Sequence, residues 1–177
     1  TEVVVPSSVR GVPVTGIGGS AFKDNTAITS VVIPEGVTTI EAGAIHGSGI
    51  KTVSLREGLD TIAFEAFTHC RYLQSAVLPR SLTTLGDYAF AHCDKLKPVD
   101  IPERLASVPD HAFAGYREMA DADGMIISRG TLISAFAKRN PNMVIPESVC
   151  AINAGAFRDG DCLESLVLPE TVAVIAD

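Results

Sequence analysis

Two cysteines 23 residues apart, each preceded by a histidine, are the first residues in the sequence with chemistry to offer: His69-Cys70 and His92-Cys93. Thiolates and imidazoles are zinc ligands, and paired thiols form a redox couple. Neither chemistry goes far here. Neighbouring residues in a turn point in opposite directions, so a His and the Cys beside it do not converge on one metal ion. No C-x-x-C occurs among Cys70, Cys93, Cys150 and Cys162, which removes the redox and zinc-knuckle motifs. Cys70 and Cys93 read instead as small buried hydrophobes whose thiols satisfy backbone groups, and their spacing also permits a disulfide. The other histidines, His46 and His111, fall at unrelated positions.

Other candidates are weaker. Asp121, Asp123 and Gly124 make a D-x-D-G, a fragment of a calcium loop without its later Glu, and read as a turn. The segment GIGGSAF at 16–22 has no Lys placed to hold a phosphate. G-x-S-x-G, H-E-x-x-H, GxxxxGK[ST] and G-x-G-x-x-G are all absent, so no catalytic residue, metal ligand or cofactor is expected and the chain reads as no enzyme. Fourteen Lys+Arg against 21 Asp+Glu give a net charge of −7, without the basic stripe that nucleic acid requires. No apolar run approaches the ~18 residues of a membrane helix. The start, TEVVVPSSVR, has neither a basic region nor a cleavage site.

What must position any site is a tandem repeat. An apolar-Pro step recurs at Pro6, Pro34, Arg56 (replacing Pro), Pro79, Pro102, Pro146 and Pro169. The spacings are 28, 22, 23, 23, 44 and 23 residues, and the 44 hides one register point near Met125, so eight units are expected. A fixed period in this range means a solenoid. Three residues after the step stand Val9, Val37, Leu59, Leu82, Leu105, Val149 and Val172; six after it, Ile40, Ile62, Leu85, Val108, Ile152 and Ile175. An Ala-Phe pair follows at Phe67, Phe90, Phe113 and Phe157, with Ile45 in place of Phe once and Phe22 displaced by an insertion. The L-x-L-P ending alternates as a strand does and stops where Pro removes the ladder donor. The other apolar positions are not strand-spaced and predict a turn and a short irregular or helical segment. One such unit cannot bury its own apolar face, so stacked units are expected to share an interior, with Phe22, Phe67, Phe90, Phe113 and Phe157 in one buried column.

The pattern L-x-x-L-x-(I/L)-P-x-x-(V/L)-x-x-I-x-x-x-A-F-x-x-C-x-x-L, seen in AVLPRSLTTLGDYAFAHCDKL, resembles the BspA-like leucine-rich repeats across essentially the whole chain. The resemblance implies an α/β leucine-rich-repeat right-handed solenoid of about eight ~23-residue units, a concave parallel sheet and an irregular or short-helical convex side. It also implies a bacterial, extracytoplasmic, virulence-associated protein that contacts host, matrix or other surface proteins in adhesion. Residues 1–177 then form a single repeat domain, with a hairpin-like insertion near 9–16 and an irregular unit at 116–142. Within that unit Met125–Ser128 and Thr131–Phe136 flank Arg129-Gly130 as a β-hairpin.

Alternation points the residues two before each step away from the interior: Val4, Val32, Ser54, Val77, Asp100, Val144 and Val167. This row reads either as a partner-docking stripe or as β-propensity filling strands. Thr29, Ser30, Thr52, Gln74, Ser75 and Ser165 would surround it. The residue after the step is Glu35, Glu57, Arg80, Glu103, Glu147 or Glu170, and the carboxylates Glu35, Glu57, Glu103, Glu147 and Glu170 form an acidic edge that attracts a basic partner or a cation, or are simply solvated turn positions. Three roles follow: a protein-binding module on the concave face; a structural spacer or scaffold holding other domains on the cell surface; and, remotely, an enzyme. Both ends fall inside repeat units, which predicts a piece of a longer array and self-association through uncapped rungs.

Overall fold

The computed structural model describes residues 1–97, 99–102, 104–105, 108–109, 111–115, 123–135, 140–153, 156–157 and 161–176. Two compact units form, Thr1–Tyr116 and Arg117–Asp177. In the first, strands β1 (Glu2–Val4), β5 (Ser30–Val32) and β7 (Thr52–Ser54) pair in parallel, one repeat apart, and a bridge from Thr52 to Ser75 continues the ladder. Alternation sends Val31 and Val53 inward, 1% and 8% exposed.

A second parallel sheet contradicts the expectation that the rest of each repeat is irregular or helical. Strands β4 (Gly16–Ile17), β6 (Thr39–Ile40), β8 (Thr61–Ile62) and β9 (Thr84–Leu85) stack in order, placing Ile17, Ile40, Ile62 and Leu85 in the core. Their Thr and Ile residues are β-branched and suit a pleated, half-buried surface. Of the positions three after each step in this unit, Val37, Leu59 and Leu82 are buried beside them, whereas Leu105 is half-buried and Val9 is exposed.

No helix occurs among the described residues, and the backbone explains why. The turns around Phe22, Ile45, Phe67 and Phe90 are bracketed by left-handed residues two before and two after the aromatic position, and the turn around Phe113 has the second of them. The first set is Ser20, Gly43, Glu65 and Tyr88; the second is Asp24, Gly47, His69, His92 and Gly115. Residues of opposite hand four apart interrupt any α-helix. The chain instead bonds across rungs: Ile45 N donates to Ala66 O, Phe67 N to Ala89 O and Phe90 N to Ala112 O, at 2.7–2.8 Å.

The aromatic column is shorter than the repeat implies. Phe67 and Phe90 stack at 4.9 Å and 2°, and Phe90 and Phe113 at 5.6 Å and 7°; all three are buried. Phe22 is only half-buried, and the next rung carries Ile45, so no ring continues the stack between Phe22 and Phe67. Phe157 lies in the second unit, half-buried against a core of Met125, Leu132, Met143, Ile145, Val149 and Ile152.

Both expected hairpins form, with the short loops typical of right-twisted ribbons. Strands β2 (Ser8–Val9) and β3 (Val12–Pro13) turn at Arg10 and Gly11, with φ of 51° and 79°. Strands β10 (Met125–Ser128) and β11 (Thr131–Ala135) turn at Arg129 and Gly130, with φ of 49° and 77°. Phe136 lies outside the described residues. In the second unit β11 is followed by β13 (Ala151–Ile152) and β15 (Val174–Ile175), all parallel, while β12 (Asn142–Val144) pairs with β14 (Ser165–Val167). Among the described residues no helix is long and apolar enough to cross a membrane.

Candidate functional site

The outward row of the first sheet is built by register. Val4, Val32 and Ser54 are direct neighbours on β1, β5 and β7, and Glu2, Ser30 and Thr52 form the second outward row. Val4 is 66% exposed and Val77, on the next rung, 77%; Val32 and Ser54 are half-buried and Asp100 is exposed. In the second unit Val144 and Val167 are paired neighbours, both exposed. Beside them Ser165 Oγ donates to Asn142 Oδ1 at 2.7 Å, and Asn142 Nδ2 to Glu164 Oε2 at 3.4 Å. Each unit thus presents apolar β-branched side chains next to a hydroxyl or amide row.

The thiols do what a buried donor should. Cys70 Sγ donates to Ile45 O and Cys93 Sγ to Phe67 O, each at 3.1 Å to the preceding rung, and both side chains are fully buried. Ser48 occupies the same position one rung earlier and meets Cys70 Sγ at 3.5 Å. The cysteines are unbridged, and burial pushes the Cys93 thiol well above its usual range, away from nucleophilic chemistry. Cys150 and Cys162 are exposed and unbridged.

The histidines come together more closely than their sequence positions suggest. His69 and His92 stack at 4.7 Å and 9°. His46 meets His69 edge-on at 5.6 Å, although it sits one residue after Ile45 rather than two. His111 lies flat on Tyr88 at 4.6 Å, and Tyr88 meets Phe64 at 6.0 Å. Among the described residues no group of three or more His, Cys, Asp or Glu is placed to hold a metal ion. Asp121 lies outside them, and Asp123 is exposed.

The model of the BspA type leucine rich repeat region matches six copies in this chain, over residues 1–120 and 133–177. The chain belongs to this family. The BspA-type solenoid therefore has about six turns rather than eight. A similar solved structure is the leucine rich repeat protein TpLRR of T. pallidum, 28% identical over 98% of this chain and 72% of that one, with a TM-score of 0.68. A leucine rich cell surface protein of Faecalibacterium prausnitzii is 21% identical over 98% of this chain and 65% of that one, with a TM-score of 0.54. A leucine-rich repeat protein of Eubacterium ventriosum is 19% identical over 99% and 50%, also at 0.54. The last two show the fold alone, and the chain spans only half to about two thirds of their length. No curated protein matches the chain.

The acidic edge of the BspA-type chain is not uniform. Glu35, Glu147 and Glu170 are exposed turn residues, and Glu103 lies outside the described residues. Glu57 reaches the next rung, where its carboxylate accepts from Arg80 N at 3.1 Å and Ser81 N at 3.2 Å. Ser81 Oγ in turn accepts from Gly58 N at 2.9 Å and donates to Leu59 O at 2.8 Å. Reversing Glu57 to Lys therefore lowers unfolding stability by about 1 kcal/mol, an ordinary hydrogen-bond contribution, measured in urea. An unchanged midpoint would return Glu57 to the role of a solvated turn residue.

Proposed function

We propose that this BspA-type chain is a non-enzymatic protein-binding module, working outside the cytoplasm as one repeat array, with the outward strand row as its docking face. The observation that carries this reading is the exposure of Val77 and Val144 between buried neighbours, Ala76 and Leu78 for the one and Met143 and Ile145 for the other, with Val4 and Val167 exposed at the same register position. Exposed apolar side chains in register along a sheet are the usual mark of a contact surface. The acidic turns beside that row and the net charge of −7 favour a partner whose aliphatic ridge is bordered by Lys or Arg. Adhesion to host or matrix protein is the activity such a surface supports, and the cell-surface relative agrees with that placement.

The test is a Val4→Ser/Val77→Glu/Val144→Glu variant, with binding to host cells and matrix proteins measured beside the parent. Binding at least tenfold weaker is expected, about 1.4 kcal/mol, with circular dichroism unchanged. Full binding by the folded variant would sink the docking face. A parent that binds only its own copies would replace the foreign partner by self-association. A parent that binds nothing would leave the spacer role.

A further inference from the structure

Two surface turns carry side chains where glycine would be unstrained. The position two after the Phe site is left-handed in every described repeat of the first unit, and Gly47 and Gly115 occupy it on either side of His69 and His92. His69 and His92 have φ of 59° and 55°, a left-handed conformation that non-glycine residues rarely adopt. Their rings use that geometry to stack, and His92 fills the space over Gly115, where a Cβ would stand 2.6 Å from His92 Nδ1.

His69 is held between the edge of His46 and the face of His92. Its Nδ1 is buried without a hydrogen-bond partner among the described residues, as is that of His46. The charged groups around it are few. Asp24 Oδ1 stands 3.7 Å from His46 Nδ1, Arg71 adds a like charge beside His69, and Asp94 opposes it. Burial first, then His92, His46 and Arg71, holds the His69 imidazole below the usual histidine range.

We infer that the His46–His69–His92 column is an acid-sensitive seam, which separates on its side of the first unit when the pH falls through the histidine range. The unfolded chain takes up its protons near pH 6.5, whereas folded His69 resists its own. The unfolded state therefore binds more protons below that pH, and folding loses stability there; above it the contribution is fully present. Cross-rung bonds flank the seam: Asp24 N to His46 O, Gly47 N to Thr68 O, His69 N to Ala91 O and His92 N to Ala114 O, at 2.7–2.8 Å.

Amide hydrogen exchange of the full chain from about pH 7.5 to about pH 5, corrected for intrinsic rates, reads these bonds directly. Protection at Gly47, His69 and His92 should fall about tenfold or more, while Thr61 in the second sheet and Ala63 just after it, bonded to Thr38 O and Ile40 O, hold. Asn tolerates the left-handed region and does not titrate, so His69→Asn/His92→Asn should abolish the fall. Arg71→Gln, on an exposed side chain, should shrink the fall with every imidazole kept. An equal loss at strand and turn amides, a loss that survives in the Asn variant, or no loss in the parent would each overturn the seam.

Discussion

Replacing Phe90 by Ala lowers the stability of the first unit by about 3–5 kcal/mol, the range for a buried aromatic. Phe90 is fully buried and lies face to face with Phe67 on one side and Phe113 on the other. Truncation opens a cavity bounded by two rings that cannot close on each other, because the backbone ladder fixes rung spacing. The same change at half-buried Phe22 should cost clearly less. Urea denaturation followed by circular dichroism measures both. A midpoint for Phe90→Ala no lower than that for Phe22→Ala would remove the stack from the core.

The second large effect comes from adding a single carbon. A Cβ at Gly86 would stand 2.5 Å from the Ala63 carbonyl carbon and 2.8 Å from Phe64 Cα, besides pressing on Phe64 N. All three are backbone atoms of the preceding rung, which no side-chain rotation can move. Gly86 N also donates to Ile62 O at 2.8 Å, so the rungs cannot separate without losing that bond. Gly86→Ala therefore destabilises by about 3 kcal/mol, the upper part of the overpacking range, despite the better intrinsic conformational preference of Ala. Gly18→Ala, where a Cβ meets nothing within 4 Å, serves as the control. Equal midpoints for the two variants would contradict the close approach.

Much of the fold was legible because the repeat places one residue type at one depth. Val37, Leu59 and Leu82 are buried as their spacing predicts, and so are Ile40, Ile62 and Leu85. The second sheet escaped notice because Thr39–Ile40 and its equivalents are two-residue strands, too short to show alternation. The helical expectation failed because Glu65, Tyr88, His69 and His92 give no sign of left-handed backbone; only Gly43, Gly47 and Gly115 at matching positions hint at it. The outward valines could be read from alternation, since period two fixes direction. The His46 contact could not, because it depends on a ring reaching across from one position away. Nor could Glu57, whose partners lie 23 and 24 residues ahead. The eight register points exceed the six matched copies, because an apolar-Pro step alone marks a strand end and not a complete unit.

The parallel ladders also decide how the first unit yields under tension. Val31 faces Val53 after 22 residues, and Thr61 faces Thr84 after 23, so successive turns are joined by bonds aligned with the stacking direction. A load applied along that direction strains one set of these bonds at a time instead of shearing all of them together. The unit should peel from an end, each released turn paying out roughly 75–80 Å of extended chain. Such a body gives way in small, even increments at low force, a compliant tether in place of a rigid strut.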